Sequence, residues 1–136
     1  MKYSGDDGTT EEFVTHGGDG CISVTANIAP KRMSHMVHAA IDGNYELATQ
    51  LNQPLLNIHK KLFVESNPIP CKYAAKRLGL ISSSYCRPPL DALHPSLEHI
   101  VDEALANAGL ITMEEQEADE QEPFANDLHK HLVMLP

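Results

Sequence analysis

The sequence predicts an α/β fold in which helix predominates, and two observations lead to that prediction. A glycine-rich approach, Gly17–Gly20, leads into a short apolar and β-branched run, Cys21–Thr25, and Pro30 then opens a helix. That order is typical of a buried strand followed by a βα loop and a helix. Much of the later chain repeats apolar residues at intervals of three and four, which indicates amphipathic helices. Because the chemistry of such folds lies where strands end, we expect a site near Ile22–Asn27.

The residues before this run predict a stub of strand, a turn and a short helix. Lys2 to Ser4 could end a strand, although three residues are too few to assign one from pattern alone. Gly5–Gly8 is a turn, and Thr9 or Thr10 is placed to cap the helix that follows. The glycine pair that ends this helix also begins the approach to the main strand.

Four further helices are predicted from apolar spacing and from their end residues. Proline suits the first helical position, and glycine suits the position just after the last. Pro54 lies inside the second of these helices and should kink it, because proline removes one backbone donor. The connectors Ser66–Pro70 and Arg87–Pro89 are expected to be extended, since a residue before proline avoids helical space. The helices are expected at residues 30–42, 45–64, 70–78 and 95–108.

Composition and charge favour one small domain whose partners do not include nucleic acid. The 136 residues are 42% hydrophobic but only 5% aromatic, so the core must be aliphatic. A net charge of −9 opposes binding to a phosphate backbone. The three cysteines, Cys21, Cys71 and Cys86, form no Cys-x-x-Cys pair and predict no disulfide framework. Neither a membrane span nor the apolar core of a signal peptide is found, so a cytoplasmic location without membrane contact is expected.

The predicted strands are too few to form a sheet. A buried parallel strand needs neighbours on both edges, and a lone strand cannot satisfy its own backbone donors and acceptors. We therefore interpret the chain as a piece of a larger α/β enzyme whose remaining strands lie elsewhere. A helical segment follows, and then an acidic stretch, 113–121, with nothing to bury.

Four stretches with matching spacing carry a resemblance to a known family. They are Ser4–Asp7, Gly17–Asn27, Leu62–Lys72 and Leu78–Leu80. Together they resemble the C-terminal portion of the 4-hydroxy-tetrahydrodipicolinate synthases, also called dihydrodipicolinate synthases, over about residues 3–111. The Ser-Val-Thr-Ala-Asn form of Ser23–Asn27 favours this family over the related N-acetylneuraminate lyases.

The resemblance implies a (β/α)8 barrel followed by a C-terminal helical domain. It divides residues 1–111 into a C-terminal remnant of the barrel at 1–43 and the helical domain at 44–111. From its acidic and polar composition, 112–136 is expected to be a mobile tail. The reaction that the resemblance implies joins pyruvate to aspartate semialdehyde through a Schiff base on a barrel lysine, in diaminopimelate and lysine biosynthesis. The resemblance also implies a homo-oligomer, a tetramer or a dimer, and no cofactor.

Three residues match positions of the family's substrate pocket. Ile22 corresponds to the apolar residue beside bound pyruvate, and Gly5 to the glycine whose backbone faces the aldehyde substrate. Asp6 is expected at the same rim. From the residues alone, Ile22 could equally be a core residue of a buried strand, and Gly5 an ordinary turn glycine.

No catalytic residue is predicted within this sequence. Schiff-base chemistry needs a lysine amine at the mouth of a barrel strand. The resemblance places that lysine on strand six and the hydroxyl proton relay earlier still, outside this sequence. None of the lysines considered is expected at a strand mouth; they are Lys2, Lys31, Lys60, Lys61, Lys72 and Lys76. The chain alone is therefore expected to be inactive.

No metal site is predicted either. His35 and His38 lie three apart on one helix, and His129 and His131 flank a lysine, but a closed zinc site needs four ligands. Cys21 lies beside the expected pocket without an evident base, and a buried thiol on a strand is usually inert.

Three hypotheses about the chain remain open from its sequence. It could be an inactive C-terminal segment of a synthase, produced by truncation, gene splitting or a frameshift. It could be one half of a split synthase that works with a separate N-terminal barrel chain. It could also be a non-catalytic helical module for oligomerisation or interaction.

Overall fold

The computed structural model describes residues 1–112, and helices dominate it. The two strands and six α-helices are β1 Tyr3–Ser4, α1 Thr10–Thr15, β2 Gly20–Cys21, α2 Pro30–Ile41, α3 Tyr45–Asn52, α4 Leu56–Lys61, α5 Ile69–Arg77 and α6 Pro95–Asn107. Short 3-10 turns occupy Asp7–Thr9, Thr25–Asn27 and Gln53–Leu55. The acidic stretch predicted to be a tail lies outside the described residues from 113 onward.

The two strands form a small parallel sheet. Tyr3 pairs with Gly20 and Ser4 with Cys21, and α1 makes the crossover between the strands. The Ile22 amide donates to the Ser4 carbonyl at 2.8 Å and so extends the pairing at its end. Glycine suits position 20 because its φ is +152°, a backbone conformation that other residues rarely adopt.

Two expectations about the strands are wrong. The strand predicted at Cys21–Thr25 ends at Cys21, and Thr25–Asn27 forms a 3-10 turn. The turn forms because the Ser23 hydroxyl accepts from the Ala26 amide at 2.9 Å, while the Thr25 amide donates to a carboxylate instead of a neighbouring strand. The stub expected at residues 2–4 is confirmed as β1; because it pairs with β2, the expectation that the strands are too few to form a sheet is wrong.

The helix predictions are confirmed in type and nearly in extent. α2 and α6 begin at the predicted prolines, and α5 begins one residue before Pro70. Gly43, Gly79 and Gly109 follow the helices with positive φ values of 78°, 67° and 62°. The predicted kink at Pro54 is a break, because a 3-10 turn at Gln53–Leu55 separates α3 from α4.

The two proline-rich connectors are turns instead of the extended segments predicted for them. The Ile69 amide donates to the Ser66 carbonyl at 2.9 Å, and the Leu90 amide donates to the Arg87 carbonyl at 3.0 Å. A proline removes only its own donor, so these flanking amides are free to close each turn.

One apolar core joins α2 to the helices that follow it. Its large, fully buried side chains are Met36, Leu55, Ile58, Leu62, Val101 and Leu105. Arg32 of α2 adds a polar link, since its guanidinium donates to the carbonyls of Ala108 and Gly109 at the end of α6. The division of the chain into two domains at residue 43 stays a prediction. Residues on both sides of that boundary contribute to the same core.

Within residues 1–112, no helix has both the length and the apolar character needed to cross a membrane.

The shared core predicts that a cavity in α2 destabilises the helices beyond residue 43. Met36→Ala should lower the free energy of unfolding by about 2–5 kcal/mol, because a fully buried side chain is removed. Urea unfolding followed by circular dichroism measures this change. The exposed Ile41→Ala on the same helix is the control and should change it by less than about 0.5 kcal/mol. An unfolding midpoint in urea that is the same in Met36→Ala as in the parent chain would contradict the shared core.

Candidate functional site

A groove opens where β2 ends, and we call it the β2 groove. Its volume is about 620 Å³, and two parts of the chain form it. One part is the loop from the end of β2 to the start of α2, and the other is α5 with the segments on either side. Its lining residues are Ile22, Ser23, Val24, Asn27, Ile28, Pro30, Asn67, Pro68, Cys71, Lys72, Ala75, Leu80 and Ile81.

Ile22 lines the β2 groove with its side chain largely uncovered. Its backbone amide is fixed by the Ser4 carbonyl, whereas 76% of the residue's surface is exposed. Interpreting Ile22 as a core residue of a buried strand is therefore wrong within the described part of the chain. The position instead presents an apolar surface at the mouth of a strand.

Gly5 and Asp6 do not line the β2 groove. No heavy atom lies within 4 Å of a Cβ built at Gly5, so nothing among the described residues requires glycine there. Asp6 caps the turn that leads into α1, because its carboxylate accepts from the Thr9 amide at 3.0 Å and from the Thr9 hydroxyl at 2.7 Å. Thr9 is the N-cap residue of α1, as predicted, but its side chain makes no capping hydrogen bond; the capping bond belongs to Asp6 in the preceding 3-10 turn. The substrate roles of Gly5 and Asp6 stay predictions.

One lysine reaches the β2 groove, although it comes from a helix. Lys72 of α5 is among the lining residues, and its ammonium donates to the Tyr85 carbonyl. Sequence reasoning placed Lys72 away from any strand mouth and did not foresee that α5 would pack against the end of β2. Lys72 is therefore the amine that any test of imine formation on this chain has to control.

A buried carboxylate and a buried imidazole hold the 3-10 turn Thr25–Asn27, which follows the groove wall, Ile22–Val24. Thr25 is fully buried, and its amide donates to Asp7 Oδ2 at 2.8 Å. Its hydroxyl lies 2.8 Å from Nδ1 of His59, which is also buried. The second oxygen of Asp7, Oδ1, is buried without a hydrogen-bond partner among the described residues.

These contacts continue across α3 to α1. His59 Nε2 lies 3.1 Å from Asn52 Oδ1, and Asn52 Nδ2 donates to Glu11 Oε2 at 2.7 Å. Since the Asn52 nitrogen faces Glu11, its oxygen faces His59, and the ring must donate from Nε2. Nδ1 then accepts from the Thr25 hydroxyl. We call these five residues, Asp7, Thr25, His59, Asn52 and Glu11, the buried hydrogen-bond chain.

Burial sets the protonation of the groups in this region. It lowers the pKa of His59 below the ordinary value of 6.5, although the charges of Asp7 and Asp6 oppose that shift. Burial, together with the charge of Asp7, raises the pKa of the thiols of Cys21 and Cys71. These thiols are therefore held in the protonated, unreactive form, which agrees with the inert role expected for Cys21.

The members of the buried hydrogen-bond chain were not singled out from the sequence. Asn52 and His59 lie seven residues apart, so both fall on the buried face that carries Leu55 and Leu62. A polar residue on such a face is the available signal, because a buried polar group needs a partner. The partner itself could not be named, since Thr25 is distant in sequence and lies in a run that indicated strand.

The histidines considered as metal ligands find no further ligands here. His35 and His38 lie exposed on α2, and no group of three or more His, Cys, Asp or Glu side chains is arranged for a metal ion within residues 1–112. His129 and His131 lie outside the described residues.

A family model described as the dihydrodipicolinate synthetase family matches residues 1–108. The 4-hydroxy-tetrahydrodipicolinate synthase of Erwinia tasmaniensis is 49% identical over 111 residues, which are 82% of this chain and 38% of that protein. The synthase of Psychromonas ingrahamii is 47% identical over 110 residues, with 81% and 38% covered. The chain thus spans about 38% of the length of the curated relatives it matches.

Solved structures resemble the chain in the same way. A chloride-inhibited dihydrodipicolinate synthase from Acinetobacter baumannii, complexed with pyruvate, is 46% identical with a TM-score of 0.78. The match covers 82% of this chain and 38% of that one. The dihydrodipicolinate synthase of Thermotoga maritima is 36% identical with a TM-score of 0.77, and the match covers 82% and 37%.

The lowered pKa of His59 predicts that acid destabilises the fold. The unfolded chain binds this proton more tightly than the folded one, so the free energy of unfolding should be greatest above pH 6.5. It should fall as the pH drops below 6.5, until folded His59 is protonated too. Urea unfolding at a series of pH values measures the slope.

In His59→Asn this part of the slope should disappear, whereas in the control His35→Asn, at an exposed site, it should remain. Equal slopes in His59→Asn and the parent chain would show that His59 does not cause the pH dependence.

Proposed function

The chain belongs to the dihydrodipicolinate synthetase family, and we propose that it is the C-terminal part of a 4-hydroxy-tetrahydrodipicolinate synthase. In this proposal residues 1–43 supply the last strands and helices of a (β/α)8 barrel, and 44–111 form its helical domain. The reaction condenses pyruvate with aspartate semialdehyde through a Schiff base. The reactive lysine lies outside these 136 residues, so this chain contributes walls of the pocket without the covalent step.

The exposed side chain of Ile22 is the observation that carries the proposal. An apolar side chain that is 76% exposed at a strand mouth gains stability when another apolar group covers it, by about 25 cal/mol per Å² of buried surface. The methyl group of pyruvate is an apolar surface of suitable size. The Acinetobacter baumannii relative, complexed with pyruvate, supports this choice of ligand.

The position of Lys72 supports placing the reactive amine elsewhere. An imine-forming lysine has to present a free, neutral amine to a ketone. The Lys72 ammonium instead donates to the Tyr85 carbonyl, and the residue lies on helix α5 and not at the end of a strand. Lys72 is therefore assigned to the groove wall, and the 136-residue chain by itself should form no Schiff base.

The open edges of the sheet support a barrel partner. Within residues 1–112, β1 and β2 pair only with each other, so each has an outer edge that can accept another strand. Further barrel strands would lie along these edges, either in one continuous polypeptide or in a separate N-terminal barrel chain.

A second candidate function, a non-catalytic helical oligomerisation module, is favoured by three exposed side chains around the turn between α2 and α3. Ile41, Tyr45 and Leu47 are 52%, 53% and 41% exposed. Uncovered apolar residues near one another favour a protein contact. This function needs neither pyruvate nor a barrel partner, and the experiment below separates it from the first.

Borohydride trapping with pyruvate tests the proposed division of roles. The 136-residue chain alone should give no reduced adduct by mass spectrometry. Mixed with the part of the Erwinia tasmaniensis synthase that it does not match, it should restore condensation activity, with the adduct on the Erwinia part. Ile22→Ala should then raise the KM for pyruvate about tenfold, because apolar contact is lost.

Phe63→Ala, at an exposed site outside the groove lining, is the matched control and should leave that KM unchanged. An adduct on this chain that disappears in Lys72→Arg would contradict the assignment of the reactive amine. A mixture that stays inactive while the chain self-associates would favour the oligomerisation module.

A further inference from the structure

We propose that His59 is a positioning residue of the β2 groove. By holding Thr25 in place, His59 fixes the adjoining groove wall, Ile22–Val24. The inference rests on the proposed role of Ile22 beside pyruvate. The observation behind it is one hydrogen bond. The buried imidazole of His59, on α4, contacts the hydroxyl of Thr25, which follows the groove wall and lies 34 positions earlier in the chain.

The groove wall has few anchors of its own. Ile22–Val24 lies between the end of β2 and the turn that begins at Thr25, and it pairs with no strand beyond the Ile22 amide. The Ser23 hydroxyl accepts from the Ala26 amide, and the Val24 carbonyl accepts from Asn27, both within the next turn. The contact outside this segment is a long one, from the Cys71 thiol of α5 to the Val24 carbonyl at 3.8 Å. We therefore expect the position of Ile22 and Ser23 to depend mainly on what holds β2 at one end and Thr25 at the other.

Thr25 is held from two directions. Its amide donates to Asp7, which follows β1, and its hydroxyl donates to His59 on α4. The residue is fully buried, so water cannot replace either contact without opening the fold. The bond to Asp7 connects Thr25 to the segment after β1, whereas the bond to His59 connects it to α4.

The rest of the buried hydrogen-bond chain keeps the His59 ring in the form that Thr25 needs. A neutral ring has one donor and one acceptor, and the bond made by one nitrogen decides the role of the other. Asn52 accepts from Nε2, because its own amide nitrogen is engaged by Glu11. Nδ1 is thereby left to accept the Thr25 hydroxyl. Asn52 and Glu11 thus act on the groove through His59.

Two substitutions of His59 separate positioning from simple support of the core. In His59→Asn the amide oxygen stands near the place of Nδ1 and can accept from Thr25. In His59→Gln the amide nitrogen stands near the place of Nε2 and can donate to Asn52, but the acceptor for Thr25 is lost. Both replace the buried ring by a smaller amide, so a merely structural role predicts similar losses in both.

The experiment follows isoleucine methyl groups by NMR, first in the 136-residue chain without ligand. The chain is then combined with the unmatched part of the Erwinia tasmaniensis synthase and titrated with pyruvate. In His59→Gln we expect the Ile22 methyl resonance to move in the absence of ligand, and the Kd for pyruvate to rise at least fivefold. In His59→Asn we expect the resonance of the parent chain and a Kd within twofold. The Ile100 methyl, on α6 and outside the groove, serves as the internal reference.

A second pair of variants tests the same link if either His59 variant fails to fold. Thr25→Ser keeps the hydroxyl and should behave as the parent chain, whereas Thr25→Val removes it at nearly constant volume and should behave as His59→Gln. Ligand-free Ile22 resonances that coincide within each pair would overturn the inference. Failure of pyruvate to shift the Ile22 resonance when the parent chain is combined with the Erwinia part would instead refute the proposed function, while the ligand-free comparison still decides the role of His59.

Discussion

The buried hydroxyl and amide of Thr25 are the contacts on which the rest of this structure depends. A fully buried polar residue must find partners, because leaving one group unsatisfied costs about 1–3 kcal/mol. Thr25 finds one in the segment after β1 and the other on α4, so the sheet and the helices are brought together at one residue. The short strand, the turn that replaces its second half and the placement of the β2 groove all follow from this.

The same constraint explains how a chain with so little sheet presents a formed pocket wall. α2 lies between the sheet and the later helices, and its side chain Met36 enters the core that contains Leu55 and Leu105. The groove wall is therefore supported by helices as well as by the strand that pairs with β2. The apolar side chain of Ile22 stays exposed at the end of β2.

The sequence was a good guide wherever a local signal decided the structure. Pro30, Pro95 and the glycines after α2, α5 and α6 marked the ends correctly, because caps act within a few residues. The β-branched Val24 and Thr25 indicated strand, but a tertiary hydrogen bond to Asp7 outweighed that preference. A site near Ile22 was expected from the strand–loop–helix pattern, and the family resemblance added its role beside pyruvate. The link to His59 spans 34 positions and left no local pattern.

Native-state hydrogen exchange of the Thr25 amide tests the central claim most directly. If Thr25 joins the sheet to the helices, its amide should exchange only through global unfolding. Its free energy of exchange should then equal that of core amides of α6, such as Val101, and change equally in added urea. A Thr25 amide that exchanges through local opening, with a lower free energy and no dependence on urea while Val101 stays protected, would contradict the claim.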